Sequence, residues 1–492
     1  MTKEEYLKQI DACIAQGPYQ ANWESLCTHK TPDWYCRGKL GIFVHWGIYS
    51  VPAFGNEWYS RNMYNAGRRE YQHHREIWGD QKTFGYKDFI PLFRGEHFDP
   101  EAWADLFQKA GASYVVPVAE HHDGFAMYDT AFNRWNSVNM GPHVDVMGSL
   151  KSACEARGLQ FCASIHRAEH YFFMNLGRTF DSDVNDDVYA DFYGPAVYRE
   201  DLNAENMSPT TETPGTEGPS EEWLTDWMVR TCEFIDRYRP KLIYFDWWIQ
   251  NFAFKPYLKK IAAYYYNRAE QWGQEVTMNY KREAFPPGVA TFDVERGALT
   301  GISPVPWQTC TAIGKHSWGY TTDNAFKSSR QIICDLIDIV SKNGRMLLNV
   351  GPRADGTITD EEAAVLEDLG RWLSINGEAI CDTVPWKWFG EGNVNAEEGF
   401  FMDGNEKSFT AEDFRFTYRG GNLYAMQLRP DGNNVCIRSL KEKGMYDFGI
   451  ETVSLLGYPQ PVSFTRRDDG LHISLPKPVS SNMPLTFKIQ LK

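Results

Sequence analysis

Histidine and carboxylate residues in this sequence gather where short apolar runs end. The plainest case is Lys241-Leu-Ile-Tyr-Phe-Asp-Trp-Trp248, entered through Pro240 and reaching a carboxylate at Asp246. The run reads as a buried strand. An acid at its tip is costly unless it is exposed, caps the next helix, or takes part in chemistry. Leu40-Gly-Ile-Phe-Val-His-Trp-Gly47 ends alike, at His45, and residues 112–121 lead into Glu120-His121-His122-Asp123. Residues 160–165 run into His166-Arg167-Ala168-Glu169-His170, and Glu57-Trp58 and Glu295 complete the set. Two chemistries use such a collection. Several His with an Asp can hold a divalent metal for hydrolysis. Two carboxyl groups can instead attack and protonate a glycosidic bond while His and Trp hold the hydroxyls and ring face of a sugar. Barrel metal sites commonly begin with His-x-His, which puts both imidazoles on one side of a strand. His121 and His122 are adjacent and share a side only if the strand has already turned, as Asp123-Gly124 allows. The spacing favours the sugar and leaves the metal as the alternative.

Such tips need a scaffold that brings strand ends together. Asp99-Pro-Glu101 opens a helix, with Asp99 as N-cap and Pro100 at the first helical position. Trp103, Leu106, Phe107 and Ala110 make its buried stripe and Gly111 stops it. Further helices are expected near 147–158, 220–238, 255–271 and 323–341. Thr359-Asp-Glu-Glu362 is a capping box for another, with Leu366, Leu369 and Leu373 along its stripe. Strands over 275–279, 289–295 and 345–351 lie between them. This alternation, seven or eight times over, is the α/β signature of a (β/α)8 TIM-like barrel, whose strand ends open on one face. A doubly wound sheet is disfavoured because no Gly-rich phosphate loop follows the first strand. Residues 170–219 break the rhythm and predict an inserted lid or binding rim, being long, acidic and rich in Pro, Gly and Thr. Past about residue 390, alternating runs at 414–418, 423–428, 453–456 and 485–491 predict a small antiparallel β-sandwich. The expected organisation is a catalytic barrel over 1–390, with a short helical and irregular lead-in, and an accessory sandwich over 391–492.

The bulk composition sets limits on partners. A net charge of −15 and a pI near 5.3 argue against nucleic acid or an anionic membrane. Aromatics at 15%, with 17 Trp among them, suit either a large core or a sugar surface. The 10 cysteines stand singly with no C-x-x-C pair, which predicts reduced, mostly buried thiols rather than a zinc knuckle or a disulfide framework. The opening Met-Thr-Lys-Glu-Glu-Tyr reads as a polar helix and not a signal peptide, so the expectation is a cytoplasmic protein.

Lys39-Leu-Gly-Ile-Phe-Val-His-Trp-Gly-Ile-Tyr-Ser-Val-Pro52 is followed by Asn56-Glu-Trp-Tyr59, Ala119-Glu-His-His-Asp-Gly-Phe125 and Ser317-Trp-Gly-Tyr320. With Asn343-Gly-Arg-Met-Leu-Leu-Asn-Val-Gly-Pro352, these blocks resemble the α-L-fucosidases of glycoside hydrolase family 29, in family order across about residues 37–385. The resemblance implies a retaining exo-glycosidase that releases terminal α-L-fucose from fucosylated oligosaccharides or glycoconjugates, without a cofactor. It implies Asp246, in Tyr244-Phe-Asp246, as nucleophile, with His45, Glu57, Trp58, His121 and His122 binding the sugar. Tyr244 and Trp318 match aromatic pocket positions, and His166 matches one branch of the family. Many members carry Arg after the Asn of the next strand, where this chain reads Asn279-Tyr-Lys281-Arg282. Glu295, in Phe292-Asp-Val-Glu-Arg-Gly297, resembles one branch's acid/base. Glu120, Glu169 and Glu283 are its rivals, and a surface ion pair with Arg296 is the bland reading. The acidity of 170–219 hints at poor tolerance of negatively charged aglycones. A metal-dependent barrel hydrolase and a catalytically inactive carbohydrate-binding relative are the other expectations.

Overall fold

Strand ends meet around one axis in the computed structural model, which describes residues 1–198, 218–404, 407–444, 448–478 and 481–492. The parallel strands are β1 (Leu40–Val44), β2 (Tyr114–Glu120), β3 (Gln160–Phe161) with its continuation β4 (Ala163–Ile165), β5 (Leu242–Phe245), β6 (Thr277–Tyr280), β7 (Thr291–Phe292), β8 (Trp307–Ala312) and β9 (Gly344–Val350). Their order is β7-β6-β5-β4-β2-β1-β9-β8, with β3 on β2, and a bridge between Asp293 and Gln308 joins the ends. The sheet therefore nearly closes, as the barrel expectation required. Its crossovers from β6 to β7 and from β7 to β8 carry no helix.

The helix signals in the sequence act as expected where they are strongest. Asp99 accepts from the N–H groups of Glu101 and Ala102, both at 3.0 Å, and Pro100 begins the helix Pro100–Lys109. Thr359 caps Asp360–Asn376 by accepting from the Glu362 N–H at 3.2 Å, and its hydroxyl lies 3.1 Å from Glu362 Oε2. The other oxygen of Glu362, Oε1, accepts from the Gly351 N–H at 2.8 Å and ties that helix to the end of β9.

The barrel interior is a separate core of Phe43, Tyr114, Val116, Val118, Leu242, Tyr244 and Leu347. A polar column runs through it. Tyr35 and Tyr114 donate to Gln308 Oε1 at 2.9 and 3.0 Å, Gln308 donates to Asp293 at 2.8 Å, and Tyr244 donates to Asp293 at 2.9 Å. These bonds satisfy groups that would otherwise be costly to bury. They also explain β8, which the apolar pattern does not announce: its inward residues Gln308 and Cys310 are polar or weakly so.

Eight antiparallel strands follow: β10 (Val384–Glu391), β11 (Phe414–Arg419), β12 (Asn422–Gln427), β13 (Asn434–Ile437), β14 (Ile450–Leu455), β15 (Ser463–Arg467), β16 (Gly470–Ser474) and β17 (Leu485–Leu491). They form a five-stranded sheet, β10-β11-β12-β17-β14, and a three-stranded one, β13-β16-β15. Phe414, Phe416, Leu423, Ile437, Leu471 and Phe487 are buried in the core they share. β10 starts this region at Val384, slightly before the expected change near 390. Arg415 joins it to the barrel by donating to Asp338 at 2.5 Å, a pair buried on both sides.

The insertion expected over 170–219 is packed in its first part. Phe172, Phe173, Met174, Val184, Phe192 and Tyr193 are buried there, and 199–217 lie outside the described residues. All ten cysteines are free, and Cys13, Cys154, Cys162, Cys232, Cys310 and Cys334 are buried. No helix of the described residues is long and apolar enough to cross a membrane.

Candidate active site

The C-terminal ends of the barrel strands surround a cavity of about 240 Å³, below the roughly 300–1,000 Å³ usual for drug-sized ligands. Asp246 enters it directly after β5, and Glu295 follows β7. Lys281 follows β6 and stands between them. Its ammonium contacts Asp246 Oδ1 and lies 2.5 Å from Glu295 Oε2, and all three side chains are buried. Burial opposes the charge on Lys281, but Asp246 and Glu295 outweigh it and push its pKa well up. Burial likewise opposes ionisation of Asp246; Lys281 and His166 reverse that and hold its carboxyl well below the usual range.

The other oxygen of Asp246 faces imidazoles. Oδ2 lies 3.4 Å from His122 Nε2 and 3.2 Å from His166 Nδ1. β2 ends at Glu120, so His121 and His122 already occupy a turn, and both line the cavity despite being adjacent. His122 Nδ1 donates to the His166 carbonyl at 2.8 Å. Burial works against a charge on this ring, but Glu169 and Asp246 lift it to about 9, so it is cationic. His45, His121 and His166 are driven the other way, chiefly by burial, and are neutral. His45 Nδ1 donates to Asn349 Oδ1 at 2.6 Å, which fixes the tautomer that turns an accepting Nε2 away from Asn349. Asn349 in turn donates to the Trp318 carbonyl at 2.7 Å.

Aromatic rings complete the wall. Tyr244 points its hydroxyl into the barrel column and offers its ring as floor, beside Phe43 at 5.0 Å. Trp318 lies 5.2 Å from His45, centroid to centroid. Glu57, with its pKa raised by burial, accepts from Ser317 Oγ at 3.1 Å and from the Trp318 N–H at 2.9 Å, which fixes that loop. Trp58 packs at 5.8 Å from His122 and 5.2 Å from Phe173, a residue of the inserted segment. The expected residues His45, Glu57, Trp58, His121, His122, His166, Tyr244, Asp246, Glu295 and Trp318 thus line one cavity.

The rival carboxylates lie elsewhere. Glu120 is buried between Arg167 and Arg230 at 3.0 and 2.7 Å, and Glu283 is exposed on the outer flank. Glu169, raised by burial to about 7, stands 3.8 Å behind His122. Arg296 does not pair with Glu295; it turns to Asp403 at 3.7 Å and lies 4.6 Å over the Trp318 ring.

Several lining residues escaped sequence reasoning. Trp247 donates its indole N–H to Glu295. Phe401 arrives from far along the chain, on a segment that pairs with the loop carrying Glu295: Phe401 N–H donates to Glu295 O at 2.9 Å and Met402 N–H to Arg296 O at 2.7 Å. A region expected to be accessory therefore supplies part of the wall. Lys281 was visible only as a departure from a family position. A signal did exist, since a lysine just past a strand end mirrors the placement of Asp246.

The donor atoms of His45, His121 and His166, and those of His122, His166 and Asp246, cluster within 4.8 Å of one another. The second set fits a divalent ion poorly, because the Lys281 ammonium already holds Asp246 and His122 is itself cationic.

A pair of buried carboxyl groups joined by one ammonium, among imidazoles and aromatic rings at the mouth of a parallel barrel, is the equipment of a glycoside hydrolase. Residues 7–378 match the family model for α-L-fucosidase. Human tissue α-L-fucosidase is 30% identical over 97% of this chain and 92% of its own length, and a *Dictyostelium discoideum* α-L-fucosidase is 30% identical over 76% of each. Among solved structures, *Thermotoga maritima* α-fucosidase superposes with a TM-score of 0.74 at 29% identity, covering 96% of this chain and all of that one. The same *Thermotoga* enzyme in complex with fucose gives 0.74 at 28% identity, with the same coverage. The chain belongs to the α-L-fucosidase family of glycoside hydrolases.

Proposed function

We propose that this protein hydrolyses terminal α-L-fucosides with retention, through a covalent fucosyl-enzyme on Asp246 and with Glu295 as acid/base. The observation that carries the reading is the shared ammonium of Lys281. One cation touching both carboxyl groups keeps their facing oxygens within about two hydrogen-bond lengths, roughly 5 Å, a closeness that supports a retaining pair.

In the first step Asp246 attacks the anomeric carbon as the bond to the aglycone breaks, and Glu295 gives its proton to the leaving oxygen. In the second step water attacks the same carbon, the ester bond to Asp246 breaks and frees its carboxylate, and Glu295 takes up a proton from that water. Asp246, already held ionised by Lys281 and the imidazoles, suits the nucleophile. His45, whose Nδ1 is held by Asn349, offers an accepting Nε2 to a sugar hydroxyl, the neutral ring of His121 offers one donor and one acceptor, and cationic His122, whose Nδ1 is held by the His166 carbonyl, offers the N–H at Nε2. Phe43, Tyr244 and Trp318 supply apolar faces for the C–H groups and the methyl of fucose.

Release of p-nitrophenol from a panel of aryl glycosides, with the anomer of the first sugar product followed by NMR, tests this. The expected result is turnover of the α-L-fucoside with α-L-fucose formed first; initial β-L-fucose, or preference for another glycoside, would overturn it.

A further inference from the structure

The leaving group of such a reaction departs on the side of Glu295, and that side of the cavity is built differently from the imidazole wall. Trp247, whose indole N–H rests on Glu295, lines the cavity together with Phe401, which is exposed, with the two ring planes 14° apart and 6.4 Å between centroids. Over Trp247 lies the guanidinium of Arg282, 5.1 Å from the ring. Arg282 follows Lys281 directly yet is exposed where Lys281 is buried. Its backbone makes that divergence, with φ at +49°, a left-handed conformation that a branched-chain side chain seldom adopts. Among the described residues no carboxylate pairs with it.

Beyond Arg282 the surface continues as a groove of about 930 Å³, on the flank where the helices between β6 and β8 are missing. Its lining includes Trp23, Phe285 and Phe292, and its cations outnumber its acids: Arg282, Lys255 and Lys259 stand against Glu283. Lys255 donates to the Ala284 carbonyl at 2.9 Å, and Lys259 lies 5.0 Å over Trp23. The chain as a whole carries −15, so a basic, aromatic groove beside the cavity runs against its average charge. A cation held flat on an indole keeps its in-plane N–H donors free for an anion.

We propose that Arg282 selects substrates whose aglycone carries a carboxylate or sulfate next to the fucose, such as an acidic sugar unit. This rests on the fucosidase reading above and reverses the hint taken from the acidity of residues 170–219. Two acids of that segment have partners of their own, Asp181 with Lys82 at 2.9 Å and Asp191 with Arg134 at 2.6 Å, while those within 199–217 lie outside the described residues.

The test compares kcat/KM for 4-(carboxymethyl)phenyl α-L-fucoside and its methyl ester in wild type, Arg282→Gln and Arg282→Lys. Any difference in leaving ability is common to all three enzymes, so the ratio of acid to ester isolates the side chain. The expected ratio for wild type is about fivefold above that of Arg282→Gln, with Arg282→Lys between them, and the gap should close as salt is raised. Loss of fold would lower both substrates together and leave the ratio as it was. Equal ratios in wild type and Arg282→Gln, with both fucosides hydrolysed, would overturn the role of Arg282 alone. Hydrolysis of neither substrate by wild type would overturn the fucosidase reading beneath it.

Discussion

Lys281 donates to Glu295 across 2.5 Å while contacting Asp246 with the same ammonium. Removing that charge should raise the pKa of Asp246, because burial then acts unopposed. Lys281→Met is expected to lose about 10²–10³-fold in kcat/KM, and the acidic limb of its pH profile should move to higher pH. Lys281→Arg should recover part of the loss and return the limb toward its original position. A pH–rate profile on an aryl fucoside reads both effects, and an unmoved limb in Lys281→Met would show that Lys281 does not set the ionisation of Asp246.

Asn349 never needs to touch a sugar in order to matter. It holds His45 in one tautomer and one orientation and ties down the Trp318 backbone. Asn349→Leu removes both bonds and frees the ring to flip. KM is expected to rise roughly tenfold with a smaller change in kcat, as for lost binding rather than lost chemistry. Competitive inhibition by fucose should weaken in parallel.

His122 links the site to stability. Its folded pKa, about 9, lies above the unfolded value near 6.5, so the proton it holds stabilises the fold fully below pH 6.5 and that contribution is lost as pH rises toward 9. The ceiling is about 3 kcal/mol. Urea unfolding at pH 6.5 and at pH 9 should show a steeper decline in wild type than in His122→Gln; equal declines would mean that His122 is not cationic in the native protein.

The metal alternative is open to a direct check. Prolonged chelation followed by desalting should leave kcat on the aryl fucoside within about twofold, since Lys281 already supplies the positive charge that a cation would bring to Asp246. Loss of activity restored by zinc would favour a metal held by His45, His121 and His166.

What the sequence discloses here follows from how local each signal is. Asp246 is legible because one carboxylate ends an otherwise apolar strand, and His45 because one imidazole does the same. Asp99-Pro100 announces its helix through a cap confined to neighbouring residues. Lys281 carries no such mark: its partners are 35 and 14 residues away, and nothing beside it shows that two acids converge there. β8 is hidden because Gln308 and Cys310 face a polar column that only the closed barrel creates. Phe401 depends on a backbone pairing with Glu295 from across the domain boundary, a contact that no local pattern encodes.

The central claim is that Asp246 forms the bond to the sugar while Glu295 serves the leaving group. It is tested most directly by Asp246→Gly, assayed with and without azide on an aryl α-L-fucoside. Turnover is expected to fall by several orders of magnitude while fucose still binds, and azide should restore it, giving the β-fucosyl azide as its small anion attacks from the vacated side. A variant with near-normal turnover and no response to azide would remove Asp246 from the reaction.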